Sequence, residues 1–135
     1  MESLTLNWPG GEDEFLLRLG ELEALDDKTA EGVLDLRYRL SLGISRGSLA
    51  YAPVRIREVL DCLRLGLIGG GMDGKAARNK VEMAFETGDM AELALSAFTV
   101  ISHSLAGKAH DPVGEAEAEE DPPGSSSPDS TETPS

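Results

Sequence analysis

A sharp change of composition near Gly107 limits how much of this chain can fold. Residues 107–135 hold eight acidic residues against one lysine, five of the seven prolines, and Val113 as their single sizeable apolar side chain. Such a segment cannot bury enough apolar surface to offset its chain entropy, so we expect a disordered tail that is solubilising or acts as a flexible link. The folded part is therefore expected to be one domain over residues 1–106.

The charge and the distribution of apolar residues exclude several classes of protein. The net charge of −13 opposes non-specific binding to nucleic acid or to an anionic membrane. No apolar stretch approaches the roughly 20 residues of a spanning helix, and the start of the chain lacks the features of a signal peptide. Cys62 is the single cysteine and cannot form an internal disulfide. These features predict a small soluble protein of the cytoplasm.

Two-residue periodicity opens the chain. Leu4, Leu6 and Trp8 alternate with polar residues, which is typical of a half-buried strand. Pro9-Gly10-Gly11 then favours a turn that Glu12-Asp13 extends, and residues 14–19 are predicted to return as a second strand. We therefore expect an N-terminal β-hairpin, followed by one or two helical turns over residues 20–27.

From Thr29 onward the apolar spacing becomes helical. Thr29 is expected to cap a first long helix, and Pro53 to begin a second that ends at Gly69-Gly70-Gly71. Asp73 and Gly88 are predicted to bound a third helix, and a fourth begins after Asp89 and closes at Gly107. The predicted buried faces of the four helices, in order, are Val33, Leu36, Leu40 and Ile44; Ile56, Val59, Leu60, Leu63 and Leu67; Ala77, Val81, Ala84 and Phe85; and Leu93, Leu95, Ala97, Phe98, Ile101 and Leu105. On the second helix, the charged residues Arg55, Arg57, Glu58, Asp61 and Arg64 lie off the apolar stripe. The expected fold is mainly α, a hairpin followed by a small bundle of about four helices, with a disordered acidic tail.

The segment Gly69–Ala76 matches the phosphate-binding pattern G-x-x-x-x-G-K except at its last position. A nucleotide-binding loop needs a serine or threonine there for Mg²⁺, and Ala76 has no hydroxyl. The segment also follows an amphipathic helix rather than a strand, and Asp73 places a negative charge where the anion would lie. We favour a turn between two helices, in which glycines allow positive φ and close backbone contact.

No other group of residues predicts catalysis, a cofactor or a metal. His103 and His110 are separated by Gly107, and no further ligand completes a metal site. Cys62 has no histidine nearby in sequence to activate its thiol. Six arginines along two predicted helices form either a basic patch for an acidic partner or the tail, or simply solvated helix faces: Arg37, Arg39, Arg46, Arg55, Arg57 and Arg64.

Four segments, taken in order, resemble a family of tail proteins encoded in phage, prophage and gene transfer agent gene clusters. They are Leu19–Leu25 (LGELEAL), Arg39–Gly43 (RLSLG), Val54–Leu60 (VRIREVL) and Leu65–Met72 (LGLIGGGM), the last being the most specific. The resemblance covers roughly residues 4–106, and members are described either as tail tube proteins or as tail assembly chaperones.

The resemblance implies a role in building a phage-like tail, without enzyme activity. A tail assembly chaperone is small and helical, and it holds the aggregation-prone tape-measure protein until tube subunits polymerise around it. A tube subunit is dominated by strands, so the helical periodicity favours the chaperone. The implied partners are the tape-measure protein, the tail tube subunit or both, in the bacterial cytoplasm during assembly. The alternative is a structural tail component that is retained in the particle.

The family supplies no motif at the level of single residues, so the partner surface is predicted from the chain alone. Leu63, Leu67, Ile68 and Met72 lie near the glycine turn, and methionine suits an adaptable binding surface. The alternative is that these four side chains are core. Two further functions stay open: nucleotide binding by residues 69–75, and mimicry of nucleic acid by the acidic tail. The oligomeric state is open as well.

Overall fold

The computed structural model describes residues 2–106, in which a hairpin is followed by five α-helices. The strands are β1 (Leu4–Trp8) and β2 (Gly11–Phe15); the helices are α1 (Leu19–Lys28), α2 (Val33–Ser45), α3 (Ile56–Gly69), α4 (Gly74–Thr87) and α5 (Met90–Leu105), and a 3₁₀ turn, Leu49–Tyr51, joins α2 to α3. This confirms the predicted mainly helical fold, with five helices in the described region where about four were expected. The predicted disordered tail lies outside the described residues. The chain divides after Ser104 into two units, and the packing below belongs to the first.

The hairpin turns earlier than predicted. Trp8 pairs with Gly11, so Pro9 and Gly10 alone form the turn, and β2 already ends at Phe15. The predicted strand over residues 14–19 is therefore wrong in its bounds. Residues 16 and 17 are buried outside the sheet, and α1 begins at residue 19.

The acidic segment after the turn forms a strand in which Asp13 is held by a neighbouring strand and a helix. The Asp13 carboxylate accepts a hydrogen bond from the Trp8 indole N–H at 2.9 Å and another from the Lys80 ammonium at 2.9 Å. Trp8 in turn packs edge-on against Phe15, with ring centroids 5.2 Å apart. The Lys80 contact attaches β2 to α4, and the Trp8 contacts join the two strands to each other.

The junction of α1 and α2 also differs from the prediction. Thr29 does not cap α2; it follows α1, and its hydroxyl donates to the Asp26 carbonyl at 3.2 Å. The cap of α2 is the Asp26 carboxylate, which accepts from the Val33 N–H at 2.6 Å while Gly32 turns the chain with a φ of 94°. Capping rules consider only the residues next to a helix start, so they do not predict a cap seven residues away. Helix α1, which carries Asp26, runs for ten residues.

The second predicted helix begins at Ile56 rather than at Pro53. The N–H of Arg55, the residue before α3, donates to Glu58 Oε1 at 2.9 Å, and this bond defines the start of the helix. The predicted stripe is buried at Val59, Leu60, Leu63 and Leu67, whereas Ile56 is 51% exposed. Glu58 and Asp61 lie off that stripe and are nevertheless buried.

The third predicted helix is α4, and it has the predicted bounds. Helix α5 begins at Met90, directly after Asp89, as predicted. The Asp73 carboxylate accepts from the N–H groups of Lys75 and Ala76 at the start of α4, and Gly88 follows its end. Asp89 Oδ1 likewise accepts from the N–H of Ala91 at 3.0 Å. None of the helices in the described part of the chain has the length and apolarity needed to span a bilayer.

Three more residues predicted to be buried are exposed. Ile44 is 56%, Phe85 42% and Leu95 50% exposed. Phe85 directly follows the buried Ala84, and consecutive residues of an α-helix are rotated by about 100° around its axis, so Phe85 points away from the packed face of α4. In α5, apolar residues surround the helix, so periodicity alone did not select the face that packs.

The glycines at the end of α3 allow the helix to lie directly against the hairpin. A Cβ on Gly69 would collide with the Leu16 carbonyl oxygen, and one on Gly70 with the Glu14 carbonyl oxygen. The N–H of Leu16 donates to the Gly66 carbonyl at 3.0 Å. The expected close backbone contact at this turn is thus confirmed, and it joins β2 to α3.

Candidate partner-binding surface

Of the four residues predicted as a partner surface near the glycine turn, two are buried and two are half-buried. Leu63 and Leu67 are fully buried, because they lie on the face of α3 that packs into the core. Ile68 and Met72 are half-buried, at the end of α3 and in the turn that follows. The core alternative holds for the first pair, and a partner contact stays a prediction for Ile68 and Met72.

The loop that resembles a phosphate site is organised by its own carboxylate. Asp73 Oδ2 lies 3.1 Å from the Lys75 nitrogen and 3.2 Å from the Ala76 nitrogen. These are the N–H groups at the N-terminus of α4 that a phosphate would need. The geometry supports the interpretation of this segment as a capped helix start.

The cysteine and the histidine in the described region make structural contacts. Cys62 Sγ lies 3.8 Å from the Ala97 carbonyl oxygen, and burial, followed by the Asp61 charge, raises the pKa of the thiol. His103 Nε2 lies 2.8 Å from the Glu2 carbonyl oxygen, to which it donates. Within residues 2–106 no three metal-ligating side chains come together, and His110 lies outside these residues.

Several of the arginines predicted to form a basic patch contact the chain itself. Arg37 Nε donates to Ser102 Oγ at 3.0 Å, and its guanidinium lies 5.6 Å from the centroid of the Phe98 ring. Arg46 donates to the Tyr51 carbonyl at 3.0 Å. These contacts fasten α2 to α5 and to the 3₁₀ turn, which gives both arginines a structural role.

The most highly connected polar group of the described fold is the Glu58 carboxylate. Its two oxygens bind the Arg39 guanidinium in a bidentate pair at 2.8 and 2.9 Å. They also accept from the N–H groups of Arg55 at 2.9 Å and Ala30 at 3.0 Å. Arg39 further binds the Asp35 carboxylate at 2.7 Å. One buried side chain therefore joins the α1–α2 connection, α2 and the start of α3.

These bonds explain the electrostatics of Glu58. The Arg39 guanidinium, assisted by the two backbone N–H groups and opposed by burial, lowers the pKa of Glu58 from 4.5 to about 2. In return, the Glu58 carboxylate, together with Asp35, raises the pKa of Arg39. Sequence reasoning placed Glu58 off the apolar stripe and missed its role. Its position three residues after Arg55, at the start of a helix, is a local signal for the capping bond but not for the pairing with Arg39.

A polar cavity of about 370 Å³ lies among residues of α1, α3 and α4. Its cationic lining residues are Lys28, Arg57, Arg64 and Arg78. Asp61 Oδ1 lies 3.8 Å from Arg57 Nη1 and 3.6 Å from Arg64 Nη2, so part of this positive charge is balanced within the cavity.

Exposed apolar side chains concentrate on one stretch of the chain. Nine large apolar residues of the described region are exposed, and five of them lie in α2 and in the connection up to the first residue of α3. These five, which we call the α2 surface, are Leu34 (65% exposed), Tyr38 (61%), Ile44 (56%), Tyr51 (63%) and Ile56 (51%). Leu34 and Tyr38 are one helical turn apart and therefore adjacent on α2. Adjacent exposed apolar side chains such as Leu34 and Tyr38 are typical of a protein contact.

A sequence model of the family described as phage tail tube protein, GTA-gp10, matches residues 2–107. The chain belongs to this family. The match covers the hairpin and all five helices of the described fold, and it confirms the resemblance to gene transfer agent and phage tail proteins. Neither a curated protein nor a solved structure matches the chain significantly.

Membership in the GTA-gp10 family implies contacts with other tail proteins. The α2 surface is the best candidate for such a contact among the described residues. Helical periodicity predicts the buried stripe of α2 and does not by itself predict this surface, although Leu34 and Tyr38 are apolar residues off that stripe.

Proposed function

We propose that this GTA-gp10 family member is a tail assembly chaperone, which binds the tape-measure protein before the tail tube polymerises around it. It acts by binding rather than by catalysis, in the cytoplasm of the bacterial host. The contact is made with an apolar helical segment of the tape-measure protein.

The main support is the α2 surface. A partner helix docks by placing apolar side chains, spaced by three and four residues, against an apolar surface of this kind. Tyrosine supplies a large contact area with little loss of side-chain freedom, and Tyr38 and Tyr51 both belong to the surface. The net charge of −13 favours solubility of the resulting complex.

The helical fold supports the same choice. Within residues 2–106 the sheet has two strands, and the remaining regular structure is helical. A tube wall built from strands needs larger sheets that continue from one subunit to the next. The described domain offers little material for such a wall.

The alternative is a structural tail component that remains in the particle. Its support is the family description, which names a tail tube protein. In that case the same chain is present in purified particles in stoichiometric amounts, whereas a chaperone leaves before the tail is complete.

Co-expression with the tape-measure protein and the tube subunit of the same gene cluster tests the proposal. We expect the wild-type chain to keep the tape-measure protein soluble and to be recovered with it. Tyr38→Lys should reduce this recovery about tenfold or more, because a charge then lies within the contact. The matched control is Met83→Lys on α4, whose side chain is 58% exposed outside the α2 surface, and it should leave recovery unchanged.

One outcome contradicts the chaperone, and a second contradicts the α2 surface as its contact. One is a tape-measure protein that stays insoluble while this chain alone assembles into rings or tubes, which favours the structural alternative. The other is an equal loss of binding in the Tyr38 and Met83 variants, with both folded by circular dichroism, which removes the α2 surface as the contact.

A further inference from the structure

The outer edge of β1 has backbone groups without partners in the described fold. Trp8 and Gly11 close a two-residue turn, so the pairs Trp8–Gly11, Leu6–Asp13 and Leu4–Phe15 are the hydrogen-bonded ones. The N–H and C=O groups of Thr5 and Asn7 therefore point away from β2. No other group in residues 2–106 bonds to them, and both residues are exposed.

The opposite edge of the hairpin is closed. The outward carbonyl of Glu14 lies against Gly70, and the chain after β2 bonds to α3 through the Leu16 N–H and the Gly66 carbonyl at 3.0 Å. Glu12 and Glu14 also place two negative charges along this edge. Of the two edges, β1 is therefore the one whose outward backbone groups stay unpaired within residues 2–106.

The β1 edge lacks the devices that proteins use to protect an open strand. Natural edge strands carry charges, proline or a bulge, each of which hinders pairing with another chain. The strand LTLNW has no charged residue and no proline, and its register against β2 runs without a bulge. A groove of about 390 Å³ lies beside its last residues, lined by Asn7, Trp8, Leu95 and Ser96 among others.

We propose that β1 pairs antiparallel with β1 of a second copy of this chain, which gives a four-stranded sheet across a two-fold axis. The outward groups of Thr5 then bond to those of Asn7 in the second copy, and the reverse, with Leu6 facing Leu6. In this register Leu4 lies opposite Trp8 on one face, and every pair along the strand is uncharged. Self-pairing thus brings no like charges together between the two strands, and each apolar residue meets another.

The interface is small, so association is weak and depends on concentration. The chain carries a net charge of −13, so two copies repel each other at long range. Salt screens this repulsion, and we expect the dimer to strengthen as the ionic strength rises from about 0.05 to about 0.5 M. An association held by ion pairs would weaken over the same range.

Sedimentation velocity on the full chain, from about 10 μM to about 1 mM, is the primary test. We expect a monomer–dimer equilibrium in the wild type and at least tenfold weaker association in Asn7→Pro. This proline removes an outward N–H and none of the hydrogen bonds within the hairpin. Glu12→Pro is the matched control, since Glu12 pairs with Asn7 and its N–H points to the opposite edge; it should dimerise as the wild type does.

A second test does not depend on tolerance of proline. Leu6→Cys should form an intermolecular disulfide under mild oxidation, since residues 6 of the two copies face each other in a close pair. Thr5→Cys should cross-link far less, because Thr5 lies opposite Asn7. Cys62 is fully buried and contributes little background.

Each outcome decides the proposal. A wild type that stays monomeric over the whole range overturns it and leaves the edge for a strand from another protein. Equal dimerisation of the wild type and Asn7→Pro also overturns it, as does a Thr5→Cys cross-link as efficient as that of Leu6→Cys. These results are independent of whether the tape-measure protein is bound.

Discussion

Replacement of Glu58 by glutamine should remove a large part of the stability of this domain. The carboxylate is 1% exposed and accepts four hydrogen bonds, two of them from Arg39. Glutamine has a similar shape but no charge, and its NH₂ group has to face two of these donors, because each carboxylate oxygen accepts two of the four bonds. Arg39 then keeps its full bonds to the Asp35 carboxylate at 2.7 Å and to the Pro53 carbonyl at 3.1 Å, and it loses its charged bidentate partner.

The size of the effect follows from the pKa of Glu58. The value falls from 4.5 to about 2 on folding, and each pKa unit corresponds to about 1.4 kcal/mol. The charged form therefore contributes about 3 kcal/mol at pH 7, within the range of about 3–5 kcal/mol for breaking a buried ion pair. For a domain of this size the melting temperature should fall by roughly 12–24 °C.

The sign of the pH dependence is equally specific. Because folding lowers the pKa, the stabilisation is complete above about pH 5 and is lost as the pH falls from about 4.5 towards about 2. The difference in free energy of unfolding between wild type and Glu58→Gln should be about 3 kcal/mol at pH 7 and about 1.5 kcal/mol at pH 3.

Urea unfolding followed by circular dichroism at several pH values measures this difference. Glu86→Gln is the control, because Glu86 is exposed on α4, and it should change stability by less than about 0.5 kcal/mol. A loss below about 1 kcal/mol at pH 7 in Glu58→Gln, or a difference that does not change with pH, would refute the reasoning.

Three further predictions concern the packing and the caps. Gly70→Ala should destabilise by about 2 kcal/mol or more, because its Cβ meets the Glu14 carbonyl, whereas Gly74→Ala should be nearly neutral since its nearest neighbour is 3.9 Å away; thermal melts compare the two. Asp73→Ala should cost about 1 kcal/mol by loss of the α4 cap, and Asp73→Asn should recover most of it in urea titrations, so equal losses in both variants would argue against capping. Cys62 should resist alkylation in the folded chain, since burial raises the pKa of its thiol; rapid labelling at pH 8 without denaturant, relative to the unfolded chain, would contradict its buried position.

The elements that could be predicted are those whose signals are local. Asp73 and Gly88 bound α4 because a cap and a terminator act within one turn of the helix they limit. The alternation of Leu4, Leu6 and Trp8 likewise predicted β1 correctly, since strand periodicity needs only neighbouring residues.

The errors arise where the deciding contact is distant in sequence. The acidic β2 is stabilised by Lys80, which lies 67 residues away, so its composition alone indicated a loop. The start of α2 depends on Asp26 from the preceding helix. Of the predicted partner surface, Leu63 and Leu67 are core, because the direction in which an apolar stripe packs depends on what lies opposite it.

The sequence by itself determined the class of fold, the helix limits with local caps, and the membership in the tail protein family, since each of these depends on short-range patterns. Only the tertiary structure decided which polar groups are buried and which apolar groups are exposed. Glu58 is buried because Arg39, 19 residues earlier, and two backbone N–H groups satisfy its charge. Leu34 and Tyr38 are exposed because α2 packs by its other face. The backbone groups of Thr5 and Asn7 have no partner within residues 2–106, whereas α3 closes the opposite edge of the sheet.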